Sequence, residues 1–353
     1  MKIKLFLSTL VISVVIVLTL KSKQPDFPII KNNPIDYYRS HFPNLKGQIA
    51  FFKENDAPIL IQLESGKSLE KKDLHIRYPI GSISKQFTAA AVLSLQSQNK
   101  LNIQDPVCKY LATFCKGDFE QITIEHLLTH RSGLPRSSVF LLTRIYKALT
   151  STRIEPSNLR ATDFLKQHMP TFLSKKPGTH ELYSNLGYIV LSALIEQITQ
   201  APFHESIKEL VFKPNNLKET ECLSPQQTNP ILPQAFILQT SIFGNSQVNE
   251  IRPFENIGEF YGAGGCISTI HDLHQWSKIL DVTPLQPFGW VVDSLHPHQP
   301  WFWHNGAIYG YQSQIHRIPT AKSTLIMLMN IEADGLSDQL ARSILTSIVK
   351  SPD

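Results

Sequence analysis

Ser82 and Lys85 lie three residues apart, where the apolar approach Pro79-Ile80-Gly81 gives way to the alanine-rich run Phe87-Thr88-Ala89-Ala90-Ala91. If Ser82 opens a helix, both side chains share one face, one turn apart. The free N–H groups of the first turn and the positive end of the helix dipole then lie beside the serine oxygen. That setting suits a nucleophile. An attacking serine must hand its proton to a neighbour. Lys85 can assist only if burial or a nearby cation lowers its pKa from about 10.4. The spacing alone is weak, because it recurs at Ser68–Lys71, Ser97–Lys100 and Ser347–Lys350. Taken alone, a helix N-cap with a solvated lysine accounts for Ser82–Lys85 better.

Two further groups stand downstream. Tyr183-Ser184-Asn185 and His304-Asn305-Gly306 are the sole Y-x-N and H-x-G matches in the chain. Tyr183 and Asn185 fall on the loop entering a helix read from about Leu186 to Thr199, with Ile189, Val190, Leu194 and Ile198 as its buried stripe. A loop held by a buried helix can present side chains to a cleft. His126 and His130 are spaced as a possible metal pair, but no third ligand or H-E-x-x-H pattern supports them and structural histidines are the better reading. A C-x-x-C pattern and a G-x-S-x-G elbow are both absent, so neither a thiolate zinc site nor an α/β-hydrolase fold is indicated.

The positioning elements follow from periodicity. Strands are read at Gly47–Phe52, Pro58–Leu63 and Leu74–Ile80, then at Phe288–Val292, Trp301–Trp303, Tyr311–Ile318 and Ser323–Met329. Helices are read from Lys85 to about Gln98, over Ile124–His130, from Ser268 to about Leu280 and from Ser337 to Val349. Ser224–Glu259, rich in Pro, Asn and Gln, reads as a loop able to rim a binding site. Both ends of the globular region supply strands and the middle supplies helices. This predicts an α+β fold, an antiparallel sheet flanked by helices with a helical insertion. The sheet subdomain would comprise about 47–100 and 285–353, the mainly helical one about 101–284, within one domain of 47–353.

The chain has 353 residues, 42% hydrophobic and 18% charged, with a formal net charge of +5. It is long enough for a substantial core, and without a dense basic run nucleic acid is not an expected partner. Lys2 and Lys4 precede an uninterrupted apolar run, Leu5–Leu20, closed by Lys21 and Lys23. Residues 1–23 read as a signal peptide or membrane anchor, leaning to an uncleaved anchor, and 24–46 as a linker. The remainder is then expected outside the cytoplasm, in the periplasm or secreted, with residues 5–20 able to hold it at the inner membrane. Cys108 and Cys115 are close enough to form a disulfide in that compartment. Cys222 and Cys266 read as buried free thiols.

In order, Ser82-Ile83-Ser84-Lys85, Tyr183-Ser184-Asn185 and His304-Asn305-Gly306 resemble the penicillin-recognising serine hydrolases, nearest the class C β-lactamase, D-Ala-D-Ala peptidase and esterase branch. The likeness extends through Ile122–Pro135, Ala263-Gly264-Gly265-Cys266-Ile267-Ser268-Thr269 and Gly310-Tyr311, covering about Leu74 to Asn330. It implies a β-lactamase/transpeptidase-like fold, an acylated Ser82, and Lys85 and Tyr183 as the proton-transfer pair. Either could take the first proton. Asn185 would hydrogen-bond Lys85 or a substrate amide, and His304 would assist electrostatically. The backbone N–H groups of Ser82 and Ala307 would form the oxyanion hole, with Gly306 leaving room for the acyl group.

One departure bears on substrate. Typical β-lactamases carry lysine where His304 stands, and a lysine cation suits a substrate carboxylate. Histidine favours esterase, amidase or D-amino-acid peptidase chemistry on a small-molecule or peptide substrate. Arg317 and Arg131 are the candidates to restore a carboxylate anchor, and the connection from Asp281 to Phe288 reads as short. No cofactor or metal is required. The alternative is a catalytically silent relative that binds cell-wall peptide or a partner protein through the same cleft.

Overall fold

The computed structural model describes residues 35–36, 39, 46–64, 69–136, 160–225, 227, 231–240, 246–251, 257–282, 288–296, 299–333 and 335–349. The N-terminal apolar run, most of the linker and the segment 283–287 lie outside these. Among the described residues no helix is long and apolar enough to cross a membrane.

Among the described residues, twelve strands alternate with helices in chain order. Strands β1 (Gly47–Lys53), β2 (Ile59–Gln62) and β3 (Tyr78–Pro79) come first. Then follow β4 (Glu221–Cys222), β5 (Ala235–Thr240), β6 (Ser246–Ile251) and β7 (Cys266–Ser268). Last are β8 (Val291–His296), β9 (Gln299–Ile308), β10 (Tyr311–Ile318), β11 (Ser323–Met329) and β12 (Ile331–Glu332). The helices used below are α1 (Ser84–Ser97), α2 (Ile124–Leu128), α3 (Asn185–Thr199), α4 (Ile270–Ser277) and α5 (Leu336–Val349).

The main sheet is six-stranded and antiparallel, ordered β2-β1-β11-β10-β9-β8. It joins the two ends of the chain, with Gly47 opposite Met329 and Lys53 opposite Ser323. Every residue of β11 is buried, so its alternating side chains feed two cores. Ile326 and Leu328 join Ile315, Phe87 and the α3 stripe on one side. Leu325, Met327 and Met329 meet Leu336, Leu340 and Ile344 of α5 on the other. Buried on both faces, the sheet is a rigid wall; α4 packs against its β10 and β11, and α1 and α3 pack on one another.

Two departures from the sequence reading concern strands. Ser224–Glu259 contains the β5–β6 hairpin, in a second sheet ordered β12-β5-β6. Its strands are set by pairing with β12, nearly a hundred residues on, where Ile331 faces Phe236; local composition carries no sign of that. The strand read at Leu74–Ile80 shrinks to β3, because Lys71–His75 forms a short helical turn closed by reciprocal Glu70 and Asp73 capping.

Cys108 and Cys115 form a disulfide, and so do Cys222 and Cys266, contrary to their reading as free thiols. The second pair lies directly opposite across β4 and β7. Two such short strands give no sequence signature from which the pairing could be read.

Buried histidines make this fold acid-sensitive. His316 accepts from Trp301 Nε1 at Nδ1 (3.1 Å) and faces Gln314 Oε1 through Nε2 (3.1 Å), so its neutral ring is satisfied and a second proton has no acceptor. Burial pushes His316 and His274 down to about 3 from 6.5. The unfolded chain protonates these rings near 6.5 while the folded chain refuses the proton, so stability is full above 6.5 and is lost as pH falls towards the folded values. We expect a loss on the order of 1–2 kcal/mol per such histidine at pH 5. Urea unfolding between pH 4 and 8 checks this; a stability flat across that window would contradict it, and His316→Gln should flatten the slope.

Candidate active site

Ser82 is positioned by three attachments of the chain around it. Ile80 N–H donates to Cys266 O (3.1 Å), extending the β3–β7 pairing. Ser313 Oγ donates to Ile80 O (2.8 Å), tying the segment to β10. Ser84 Oγ accepts from Cys266 N–H (3.2 Å). Gly81 has φ +50°, and a side chain there would meet Ala307 N at 2.8 Å. The chain therefore turns sharply against β9, and Ser82 sits in the tight turn Gly81–Ile83 that leads into α1.

Lys85, in the first turn of α1, is not solvated; its exposure is 0%. Its Nζ donates to Ser82 Oγ (3.0 Å) and to the carbonyl of Ala263 (2.6 Å). Tyr183 OH donates to the same Ser82 Oγ (2.8 Å). Lys85 Nζ also lies 5.0 Å from the centre of the Tyr183 ring and 5.6 Å from that of Tyr188. Burial drives the Lys85 pKa down, and the negative form of Tyr183 opposes the shift. Lys85 is therefore biased towards the neutral amine that can accept a proton, and it is coupled to the phenol. Ser82, Lys85 and Tyr183 form one contiguous hydrogen-bonded group.

Ala263 O is a lysine partner that the sequence reading missed. It is brought in by a short helical turn, Tyr261–Gly264, wedged between α1 and α3. Gly262 N–H donates to Ser192 Oγ (3.0 Å), and Thr88 Oγ1 donates to Gly262 O (2.9 Å). The glycine-rich run at Gly262–Gly265 was the available signal.

Tyr183 is seated by the segment Thr129–Pro135. Leu182 N–H donates to His130 O (2.7 Å), Ser184 N–H to His130 Nδ1 (3.2 Å), and Ser184 Oγ to Pro135 O (2.8 Å). The His130 ring lies 4.3 Å from the Tyr183 ring, centre to centre. Burial, aided by Lys85 and His304, pushes its pKa down to about 3, which leaves Nδ1 free to accept. His130 is thus a positioning residue for Tyr183. His126 turns away to the start of α2, where its Nδ1 accepts from Thr123 N–H (3.3 Å). The spacing of these two histidines fails as a metal pair because His130 lies beyond the helix end with φ +56°.

On β9, alternation sends Asn305 outward to Asp338 of α5 (3.0 Å) and His304 and Gly306 inward. His304 is buried, with Nδ1 2.5 Å from Asn305 O. Burial, then the Lys85 charge, lowers its pKa to about 4, so it is neutral at pH 7. Ala307 lies against Gly81, as the contact above requires. Gly306 has a reason other than the one inferred from sequence: a side chain there would meet Ile80 O at 2.1 Å, so the missing Cβ admits the nucleophile's own backbone rather than an acyl group. Asn185 opens α3, two residues after Tyr183. Arg317 is no carboxylate anchor, since it is buried, paired with Asp281 through both carboxylate oxygens and bonded to Thr324. Arg131 is exposed.

The profile of the Beta-lactamase family matches residues 73–287, more than half of the chain. The chain belongs to that family. It is 28% identical over 290 residues to the unguisins hydrolase of Aspergillus campestris, covering 71% of this chain and 52% of the relative. The chain spans about half the length of the curated relatives it matches. Among solved structures it resembles a D-stereospecific amidohydrolase from Streptomyces sp., with TM-score 0.70, 21% identity and coverage of 88% and 97% of the two chains. It also resembles a penicillin-binding protein from Bacillus halodurans, with TM-score 0.66, 20% identity and coverage of 90% and 100%. These likenesses establish a β-lactamase/transpeptidase fold of the α+β class.

If neutral Lys85 takes part in proton transfer, kcat/KM should rise with pH through an inflection below the ordinary lysine value of 10.5. Lys85→Arg keeps the cation and loses the base, so it should lower kcat by roughly 1000-fold. A Lys85→Arg enzyme with near-native kcat would exclude this role.

Proposed function

We propose that this chain is an exported serine hydrolase that cleaves an ester or amide through an acyl-Ser82 intermediate. The observation that carries the proposal is the double engagement of Ser82 Oγ by a fully buried Lys85 and by Tyr183. A protein that only binds has no chemical need for that arrangement, and burying a lysine costs several kcal/mol.

Ser82 Oγ attacks the substrate carbonyl carbon while its proton passes to the Lys85–Tyr183 pair. The N–H groups of Ser82 and Ala307 receive the developing oxyanion. Collapse expels the alcohol or amine, which takes the proton back. Water, deprotonated by the same pair, then attacks the acyl ester, and the proton returns to Ser82 as the acid leaves. Asn185 would hydrogen-bond Lys85 or a substrate amide.

Neutral His304 sets the substrate preference. The position lacks a fixed cation, so the site does not demand a carboxylate, and amides or esters of D-amino acids and peptides fit better than penicillins. The likeness to a D-stereospecific amidohydrolase supports this direction. Export is supported by the apolar run Leu5–Leu20 and by two disulfides, which persist in oxidising compartments.

Intact mass after incubation with a fluorophosphonate, and separately with a penicillin, tests the reading. A phosphonate adduct that vanishes in Ser82→Ala is expected, with penicillin acylation slow or absent. His304→Lys should then raise the rate of penicillin acylation. No adduct on folded protein from either reagent would leave the silent binding protein as the correct reading. Rapid wild-type penicillin acylation would overturn the substrate preference alone.

A further inference from the structure

His75, Glu219 and His271 converge from three distant parts of the chain. One ligand atom from each lies within 4.8 Å of the other two. His75 Nδ1 is 2.6 Å from Glu219 Oε2, and the two imidazole rings face each other with centres 4.9 Å apart. None of the three takes part in the hydrolytic site.

The surroundings fix these groups rather than merely collecting them. Asp272 is buried and acts on two of the three. Its Oδ2 accepts from Glu219 N–H (2.8 Å) and from Thr220 Oγ1 (2.8 Å), holding the backbone that bears Glu219. Its Oδ1 lies 3.3 Å from His271 Nδ1. A proton on that nitrogen is then shared with the carboxylate, which leaves Nε2 of His271 with a free lone pair. A carboxylate behind a histidine is the arrangement that orients metal-binding imidazoles and raises their basicity.

We propose that His75, Glu219 and His271 form a binding site for a divalent transition-metal ion of the zinc type. Two imidazoles and one carboxylate make a donor set that Zn2+ takes up, leaving a fourth position for water. Bonds of about 2.0–2.1 Å in tetrahedral geometry set ligand atoms about 3.3 Å apart. The His75–Glu219 contact must therefore open and the widest separation must close, adjustments of a fraction of an ångström to about 1.5 Å. The side chains of His75 and His271 are about half exposed, at 47% and 54%, so they can make that movement.

The location gives the ion a structural consequence. His75 ends the turn before β3, Glu219 precedes β4, and His271 follows β7 in the first turn of α4. These three strands form the small sheet β3-β7-β4, whose members are two or three residues long. That sheet delivers Ser82. A metal ion would cross-link it at the end remote from Ser82, whereas the Cys222–Cys266 disulfide ties the opposite end, and it would bind only the folded chain.

Titration of the metal-free protein with Zn2+ against a chromogenic chelator tests this. One ion per chain is expected, with affinity reduced at least about tenfold in His75→Ala and in His271→Ala. His180→Ala, at an exposed histidine elsewhere, should bind normally. Zn2+ at a hundredfold excess over Kd should raise the wild-type Tm by roughly 5 °C and leave the double His75→Ala/His271→Ala variant unmoved. Glu219→Gln keeps the backbone bond to Asp272 and serves if the double variant is unstable; it should lose the same Tm response. Absence of stoichiometric binding, or binding that these variants do not alter, would overturn the proposal.

Discussion

The burial of Lys85 is the constraint around which the inner half of the molecule is arranged. An amine with no solvent contact must either lose its charge or find partners, and isolated burial of an ion costs several kcal/mol. The fold answers with Ser82 Oγ, the Ala263 carbonyl and the faces of Tyr183 and Tyr188. They come from three different elements. The turn before α1 brings the serine, a glycine-rich wedge brings the carbonyl, and the entry to α3 brings the aromatic rings. Displacing any of these elements would expose the lysine or leave it unpartnered, so packing and proton chemistry are one requirement.

The main sheet makes this arrangement tolerable. With β11 buried on both faces and α5 covering the outer one, β9 and β10 cannot shift without opening a core. Gly306 and Ser313 sit opposite one another on those strands, and together they fix the carbonyl of Ile80. Placement of Ser82 is thereby inherited from the sheet rather than from the loop that carries it. The neighbouring His304 and His130 are held neutral by the same dryness that drives the Lys85 pKa down.

Much of the site is legible in the chain because its parts are local patterns. Ser82–Lys85 is one helical turn, Tyr183-Ser184-Asn185 is one loop entering a helix, and His304-Asn305-Gly306 is one strand segment. Their order and company identify the family before any coordinate is known. His130 is harder to read. It lies in a segment quoted for its resemblance, yet its partner is Tyr183, and their relation exists only once the two loops are laid together. Ala263 is harder still, because the group that acts is a carbonyl, and every residue has one.

Sequence by itself determined the class of fold, the Ser-x-x-Lys, Tyr-x-Asn and His-x-Gly set, and the strand–helix–strand order, since each rests on periodicity or spacing over a few neighbouring residues. Tertiary structure decided what depends on contact between remote segments. The Cys222–Cys266 bond follows from the facing of β4 and β7. The β5–β6 hairpin exists because β12 pairs with it, and Arg317 is committed to Asp281 because α-helical and sheet segments meet there. Gly306 reads from sequence as space for a substrate, whereas folding fills that space with the backbone of Ile80. Local patterns record what a segment prefers; they do not record which distant backbone will lie against it.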